Sequence, residues 1–279
     1  MIIAENISKI KSEIQKISDK KIAFVPTMGA LHDGHLVLVK KAQEIADIVV
    51  VSIFVNKAQF NDQNDYKNYP RQNLEDLKKL ENTGVDLVFL PNEEEMFAED
   101  FAFKIIPTKL VDCLCGSSRP GHFDGVALVV TKLFNIVKPD IAIFGQKDFQ
   151  QLSIIKKLVS DLNLDVEIFA HETFREKSGL AMSSRNQRLS KDNKIKAAQI
   201  FKILSEIKNE VKKTPKNIDK ILSEKSQELL KNSFEKIDYL EIREENNLKL
   251  INEFNDEKPA RIFIAVYLSG IRLIDNLPV

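Results

Sequence analysis

The sequence lacks the features that mark secreted, membrane-spanning and nucleic-acid-binding proteins. It has no tryptophan and two cysteines, Cys113 and Cys115, which are too close together for a routine disulfide. It has no run of about 18 apolar residues, and its first residues lack the basic and then apolar layout of a signal peptide. Lys+Arg and Asp+Glu both total 41, so no net charge attracts nucleic acid or an anionic membrane. We therefore expect a cytoplasmic protein with reduced thiols, with no nucleic-acid or membrane partner.

Apolar residues make up 43% of the 279 positions, which is enough for one large core or two modest ones. In the first part of the chain, apolar runs alternate with segments of helical periodicity, a pattern typical of an α/β fold with a doubly wound parallel sheet (Rossmann-like). The predicted strands of this part are 22–25, 48–55, 86–90, 141–144 and 166–169. Beyond Ser190 the pattern changes to two helices and three short strands, 237–242, 261–268 and 271–277. Ser269-Gly270 joins the last two strands and predicts a hairpin. We predict a Rossmann-like domain over residues 1–175 and a smaller α+β domain over residues 176–279.

The most informative stretch is Pro26-Thr27-Met28-Gly29-Ala30-Leu31-His32-Asp33-Gly34-His35-Leu36, which joins an apolar strand to a helix. His32 and His35 are three residues apart, so one helical turn would bring both rings to the same side. The first N–H groups of a helix lack intrahelical partners and carry partial positive charge, which attracts anions. The pattern indicates a site for the phosphates of a nucleotide.

Three other types of site fit this stretch less well. A P-loop would need Lys-Ser or Lys-Thr where His35-Leu36 stands, so the lysine that contacts phosphate and the hydroxyl that binds magnesium are both missing. The Gly-x-Gly-x-x-Gly pattern of dinucleotide sites is absent. Paired histidines also bind metals, but no nearby Cys, His or Glu completes a zinc-like set, so no metal site is predicted.

Polar residues also follow two other predicted strands. Asn56 and Gln59 follow the run 48–55, and Gly145-Gln146-Lys147-Asp148 follows the run 141–144. In open α/β sheets the carboxyl ends of the strands form the ligand-binding edge. A glycine- and proline-rich stretch over 114–125, which carries Arg119 and His122, is predicted to be a loop. Ser183-Ser184-Arg185 offers hydroxyl groups and a guanidinium to phosphate, although a serine-rich loop is also typical of a linker.

The first of these motifs resembles the signature loop of the nucleotidyltransferase superfamily that carries a His-x-Gly-His motif. With the flanking Pro-Thr-Met-Gly-Ala-Leu, and with Arg119-Pro120-Gly121-His122-Phe123, the chain resembles the pantothenate synthetase (pantoate–β-alanine ligase) family along nearly its whole length. The resemblance implies two steps. Pantoate reacts with ATP to give pantoyl adenylate and pyrophosphate, and β-alanine then displaces AMP. It also implies magnesium with the ATP, a homodimer, and a C-terminal domain that acts as a lid.

The resemblance also implies roles for individual residues. His35 would be the acid, His32 and Lys147 would contact phosphate, Asp148 the ribose, and Phe174 the nucleotide through its backbone. The residues implied in nucleotide binding are Met28, Gly29, Ala30, Leu31, His32, Asp33, Gly34, His35, Gly145, Gln146, Lys147, Asp148, Phe174, Met182, Ser183, Ser184 and Arg185. The residues implied in catalysis are His35, His32, Lys147, Ser183, Ser184 and Arg185. Gln59 and Gln151 would hold pantoate, with Gln59 also bordering β-alanine, and Asn56 and His122 would support them.

Two positions depart from the family pattern. Lys57 stands where proline is common, which removes a restraint on φ, and Ser178 replaces a usual aspartate.

Two functions other than this ligase also fit the sequence. One is a nucleotidyltransferase that acts on a phosphorylated substrate through the same histidine loop. The other is a nucleotide-sensing domain without turnover, which would leave unexplained why three of the four histidines fall in motif loops.

Overall fold

The computed structural model describes residues 1–279, which pack into two compact units. The first unit contains Met1–Val111, Arg119–Gln146 and Gln151–Glu172. The second unit contains Asp112–Ser118, Lys147–Gln150 and Thr173–Val279. Two short segments, Asp112–Ser118 and Lys147–Gln150, therefore belong to the second unit although the residues on either side of them belong to the first. The functional division of the chain after residue 175 stays a prediction.

The secondary structure consists of nine strands, eleven α-helices and three short 3-10 helices. The strands are β1 Ile2–Ala4, β2 Ile22–Thr27, β3 Ile48–Ile53, β4 Leu87–Phe89, β5 Ile141–Gly145, β6 Glu167–His171, β7 Lys236–Glu244, β8 Ala260–Leu268 and β9 Ile271–Pro278. The helices are α1 Ile7–Gln15, α2 Asp33–Ile45, α3 Gln63–Lys67, α4 Asn73–Thr83, α5 Glu93–Met96, α6 Leu114–Ser118, α7 His122–Val137, α8 Phe149–Asp161, α9 Lys191–Ala197, α10 Gln199–Lys213 and α11 Ile218–Lys231. The 3-10 helices are Lys57–Gln59, Gln146–Asp148 and Ser184–Arg188.

The first unit is built on a six-stranded sheet in the order β1-β4-β3-β2-β5-β6, and every pair in it is parallel. Strands β2 and β3 are buried along nearly their whole length, as expected of central parallel strands covered on both faces. The prediction of a doubly wound parallel sheet is confirmed. The edge strand β1 was not predicted, because three residues, two of them exposed, are too few to show a pattern.

The stretch 114–125 differs from its prediction. Residues 114–118 form the short helix α6, of which the first three residues are buried, and α7 begins at His122, inside the stretch predicted to be a loop. Glycine is usually unfavourable inside a helix, but Gly125 is required by packing. A Cβ at Gly125 would lie 2.4 Å from the carbonyl oxygen of Ala58, so only glycine lets α7 approach the 3-10 helix Lys57–Gln59.

The second unit carries the antiparallel sheet β7-β8-β9, and a core of mostly aliphatic side chains from α10, α11 and the sheet. Strands β8 and β9 are joined by Ser269 and Gly270, with φ of 52° and 69°. Two successive positive φ values are the conformation that a tight hairpin requires. The predicted α+β character and hairpin are confirmed. Both cysteines are buried and unbonded to each other, and no helix has the length and apolar character needed to cross a membrane.

Candidate active site

The carboxyl ends of three neighbouring strands bring the predicted polar junctions of the first unit to one edge. β2 lies between β3 and β5, and all three run parallel. The histidine loop follows β2, Asn56 follows β3, and β5 ends at Gly145. The strand order reverses at β2, since β3 and β4 lie on one side and β5 and β6 on the other. This reversal is the switch point at which open α/β sheets bind ligands.

The loop between β2 and α2 has a backbone that few sequences adopt. Gly29 and Ala30 have φ of 78° and 49°, in the left-handed region. A Cβ at Gly29 would also lie 3.1 Å from both a carboxylate oxygen of Asp76 and a methyl carbon of Ile53. Thr27 supports the loop from below, because its hydroxyl donates to the carbonyl of Ser52 (2.7 Å) and accepts from the N–H of Gly29 (3.2 Å).

Helix α4 holds this loop through two charged side chains that the sequence did not single out. The carboxylate of Asp76, which is fully buried, accepts the backbone N–H groups of Ala30 and Leu31, both at 2.7 Å. Lys79 donates to the carbonyl of Leu31 at 2.7 Å. Burial raises the pKa of Asp76, and the two N–H donors and Lys79 oppose that shift. The conformation that precedes the two histidines therefore depends on one buried carboxylate.

The two histidines lie together at the N-terminus of α2, as their spacing predicted. Their ring centroids are 4.1 Å apart and the planes are tilted by 34°. The backbone N–H of His32 points at Nδ1 of His35, at 3.3 Å. Because Nδ1 accepts this hydrogen bond, the neutral ring of His35 carries its proton on Nε2. His35 can thus present an N–H donor beside the partial positive charge of the helix terminus.

A second cluster of the first unit surrounds Gln59, which is buried at the 3-10 helix after β3. The amide of Asn56 donates both to the side-chain oxygen of Gln59 and to the carbonyl of Gly125, each at 3.0 Å. The amide nitrogen of Gln59 lies 2.9 Å from the sulfur of Met28. These contacts connect the loop after β3 to the histidine loop. Asn56 therefore orients the side chain of Gln59 through a direct hydrogen bond.

The backbone of the same glutamine is held by Arg119 and His122. The carbonyl of Gln59 accepts from Nδ1 of His122 (2.7 Å) and from the guanidinium of Arg119 (3.1 Å). A second guanidinium nitrogen of Arg119 lies 3.1 Å from Nε2 of His122. Since arginine only donates and the carbonyl only accepts, this ring carries its proton on Nδ1 and is neutral. Gln151, the other predicted amide of this unit, is half-buried in the first turn of α8.

The remaining predicted nucleotide contacts belong to the second unit. Lys147 and Asp148 form an ion pair of 3.7 Å, and the lysine side chain is the more buried of the two. The carbonyl of Phe174 accepts the N–H of Met182 at 3.0 Å, and Arg175 bridges to Ala181, so residues 174–182 form a small hairpin. This hairpin leads directly into Ser183.

The serine motif forms the start of the 3-10 helix Ser184–Arg188. The hydroxyl of Ser183 accepts the N–H of Arg185 at 3.3 Å, which leaves its own hydrogen available to a ligand. Asn186 fixes the turn by donating to the carbonyl of Ala181 at 3.0 Å. Ser184 is buried, whereas Ser183 and Arg185 are half-buried.

The structure thus distributes the predicted residues over both units. The first unit holds Met28–His35, Asn56, Gln59, His122, Gly145, Gln146 and Gln151, and the second holds Lys147, Asp148, Phe174 and Met182–Arg185. No group of three or more His, Cys, Asp or Glu side chains is arranged to hold a metal ion. The supporting residues Asp76, Lys79 and Asn186 were missed, because nothing local in the sequence distinguishes them from other polar surface residues.

Comparison with known sequences identifies one protein family along nearly the whole chain. The pattern of the family described as pantoate-beta-alanine ligase matches residues 2–278. A pantothenate synthetase of Caldicellulosiruptor bescii is 44% identical over 281 residues, covering 100% of this chain and 99% of the relative. One of Carboxydothermus hydrogenoformans is 48% identical over 268 residues, covering 94% and 92%.

Solved structures agree with the sequences. The crystal structure of pantothenate synthetase from Thermus thermophilus has a TM-score of 0.91 at 38% identity and covers 99% of each chain. Pantoate-beta-alanine ligase from Francisella tularensis, crystallised with beta-gamma ATP and beta-alanine, has a TM-score of 0.84 at 39% identity and covers 99% of this chain and 97% of that one. The chain therefore belongs to the pantoate-beta-alanine ligase family, and it is an ATP-dependent ligase.

Proposed function

We propose that the chain condenses pantoate with β-alanine in two steps that share an acyl-adenylate intermediate. A carboxylate oxygen of pantoate attacks the α-phosphorus of ATP, and the bond to the β-phosphate oxygen breaks, releasing pyrophosphate. The amine of β-alanine then attacks the acyl carbon, loses a proton, and displaces AMP. The observation that carries this proposal is the histidine pair, with rings 4.1 Å apart at the terminus of α2 on the binding edge of the sheet. The relative crystallised with beta-gamma ATP and beta-alanine supports it.

The first step mainly needs negative charge to be stabilised as the phosphate bonds rearrange. His35 is suited to this role because its Nδ1 accepts the N–H of His32, which places the proton of the neutral ring on Nε2 as a donor. His32 adds a second ring beside it. Met28–His35, together with Gly145 and Gln146, would line the nucleotide. His35 is the residue we assign as the acid for the departing pyrophosphate.

The second unit would supply the remaining charged and polar groups that contact the nucleotide. Lys147 would contact phosphate and Asp148 the ribose, while Phe174 would contact the nucleotide through its backbone. Met182, Ser183, Ser184 and Arg185 would close over the phosphates. The free hydrogen of the Ser183 hydroxyl and the guanidinium of Arg185 supply donors suited to phosphate oxygens. In this role residues 176–279 act as a lid.

The small acid would be held by amides rather than by charged groups. Gln59 and Gln151 would bind pantoate, and Gln59 would also border β-alanine. The side chain of Gln59 is held by Asn56 and its backbone by Arg119 and His122. This support fixes the amide before substrate arrives, so less conformational entropy is lost on binding.

Three further properties belong to the same proposal. Magnesium would enter with ATP, where it neutralises the charge of the β- and γ-phosphates. The protein would act in the cytoplasm. It would form a homodimer, and the apolar side chains of Phe103 and Ile106, exposed by 78% and 60%, support an interface on the irregular segment before α6. Sedimentation velocity of the protein and of a Phe103→Ser variant tests the dimer.

The reaction is tested by measuring both products separately. With ATP and magnesium, pyrophosphate should appear only when pantoate is added, and AMP should be released in turnover only when β-alanine is also present. Pyrophosphate release that ignores pantoate but follows a phosphorylated substrate would favour a nucleotidyltransferase. Binding of ATP without either product would favour a sensing domain.

A further inference from the structure

Two adjacent polar residues on the last strand, Asp275 and Asn276, are buried in the second unit. They are 4% and 3% exposed. On β9 the side chains of Ile271 and Leu273 are also buried, so Asp275 continues the buried positions of the strand. Burying polar groups in this way is costly unless they are fully hydrogen-bonded. Their partners therefore indicate what they hold in place.

Asn276 uses both ends of its amide. Its nitrogen donates to the backbone carbonyl of Lys147 at 2.8 Å. Its oxygen accepts from the guanidinium of Arg261 at 2.6 Å. Arg261 is itself fixed, because it pairs with Glu245 at 2.8 Å and its guanidinium lies over the ring of Phe149, 4.1 Å from the centroid. Arg261 therefore fixes the orientation of the Asn276 amide, so that its N–H group points at the backbone carbonyl of Lys147.

Asp275 performs a parallel task for the hairpin 174–182. Its carboxylate accepts two hydrogen bonds from the guanidinium of Arg175, at 2.6 and 2.9 Å. Arg175 also donates to the carbonyl of Gly179 at 3.1 Å, and it stacks over Phe201 at 4.0 Å. The forked pair fixes the base of the hairpin that leads into Ser183.

The two residues are also connected to each other. The backbone N–H of Asn276 donates to the carboxylate of Asp275 at 2.8 Å. Burial raises the pKa of Asp275, and the Arg175 guanidinium opposes that shift. One two-residue segment of β9 therefore contacts both stretches of the second unit that the proposed function assigns to the nucleotide.

We propose that Asp275 and Asn276 are positioning residues for nucleotide binding: Asn276 sets the backbone of Lys147, and Asp275 sets the hairpin that carries Met182–Arg185. This inference rests on the proposed function for the role of Lys147 and of the serine motif. Neither residue touches the reacting atoms in this scheme. Both act by fixing the backbone from which the phosphate-binding side chains extend.

The discriminating variant is Asn276→Asp, which keeps the size of the side chain and an acceptor for Arg261. The contact with the Arg261 guanidinium favours the ionised form of the new carboxyl, in which an oxygen replaces the N–H that faced the Lys147 carbonyl. The matched control is Asn246→Asp, the same chemical change at an exposed position of the same unit. The dissociation constant for magnesium with a non-hydrolysable ATP analogue should rise about tenfold in Asn276→Asp and should be unchanged in the control. The dissociation constant for pantoate should be unchanged in both.

A double-mutant cycle shows whether the effect passes through Lys147. In a Lys147→Ala background, Asn276→Asp should weaken binding of the analogue by less than twofold. Full additivity, or an equal loss of pantoate and analogue binding, would overturn the inference, since either result means general structural damage. An unchanged affinity for the analogue in Asn276→Asp would also overturn it.

A second variant covers the case in which Asn276→Asp does not fold. Arg175→Lys keeps a positive charge beside Asp275 but loses the fork, and it should weaken analogue binding several-fold while pantoate binding is retained. A fall in thermal stability with unchanged analogue binding would contradict the role of Asp275. Pantoate-dependent pyrophosphate release by the unmodified protein is measured alongside. Its absence would remove the proposed function, whereas the binding measurements would still decide whether β9 positions the nucleotide segments.

Discussion

The buried carboxylate of Asp76 offers the sharpest test of how the histidine loop is built. It accepts the N–H groups of Ala30 and Leu31 at 2.7 Å, and it is fully buried. In Asp76→Asn one oxygen remains to accept one N–H, but the amide nitrogen faces the other N–H as a second donor. One charge-assisted hydrogen bond is therefore lost, and one buried donor is left without an acceptor.

The expected cost follows from these two effects. Hydrogen bonds to charged groups contribute about 1.5–3 kcal/mol, and an unsatisfied buried donor costs about 1–3 kcal/mol. The two figures partly count the same lost interaction, so their sum is an upper limit. We therefore expect Asp76→Asn to lower the free energy of unfolding by about 2–4 kcal/mol. For a chain of this size each kcal/mol lowers Tm by about 2 °C, so the expected fall in Tm is about 4–8 °C. Since the loop positions both histidines, displacement by about 1 Å should also lower the rate of pyrophosphate release about 100-fold.

The assay pairs thermal unfolding with pantoate-dependent pyrophosphate release at a temperature where each variant is folded. Glu75→Gln, the same carboxylate-to-amide change at the exposed neighbouring position of α4, is the control. It should change the free energy of unfolding by no more than about 0.5 kcal/mol. A normal Tm in Asp76→Asn would refute the hydrogen-bond argument. A lowered Tm with a normal rate would refute the link from Asp76 to the histidines.

Three further predictions concern single residues. His35→Ala should leave the unfolding transition in place but lower pyrophosphate release by orders of magnitude, and near-normal turnover would remove His35 from the mechanism. Gly125→Ala should lower the free energy of unfolding by about 3 kcal/mol or more, because its Cβ would lie 2.4 Å from the Ala58 carbonyl; unchanged denaturant unfolding would show that α7 shifts freely. For Asp238, burial acts to raise the pKa, but hydrogen bonds from Lys236 and Arg272 outweigh it and hold the pKa below its usual value. This carboxylate therefore stabilises the protein above its unfolded pKa, so the stability gap between the unmodified protein and Asp238→Asn should be about 2 kcal/mol at about pH 7 and should close as the pH falls through the lowered pKa. A gap that is constant with pH would contradict the charge-based explanation.

The sequence predicted those parts of the fold that depend on local periodicity. Strand β3 is a continuous apolar run, α10 has aliphatic residues at helical spacing, and Ser269-Gly270 marks a hairpin. Each of these signals is contained within a few neighbouring residues. The stretch 114–125 was predicted wrongly as a loop because its three glycines and one proline suggested a lack of regular structure. Gly125 is instead a packing requirement set by Ala58, which is 67 residues away.

In the candidate site, too, the residues that belong to local motifs could be predicted, whereas those that act through contacts distant in sequence could not. His32, His35 and Gln59 stand out because they belong to compact motifs at strand ends. The residues that support them do not, since Asp76 lies on a helix with other acidic side chains and its role depends on a contact with a loop 45 residues earlier. Asp275 was the exception that could have been found. It occupies the same face of β9 as Ile271 and Leu273, and an acid at a predicted core position of a strand signals a buried partner.

The acyl-adenylate step is tested most directly by following an oxygen atom. Pantoate labelled with ¹⁸O in its carboxylate is incubated with ATP, magnesium and β-alanine, and the products are analysed by mass spectrometry. Because the carboxylate oxygen bonds to the α-phosphorus and leaves with it, AMP should carry one ¹⁸O atom. Label found in pyrophosphate or inorganic phosphate, or AMP without label, would contradict adenylation of pantoate.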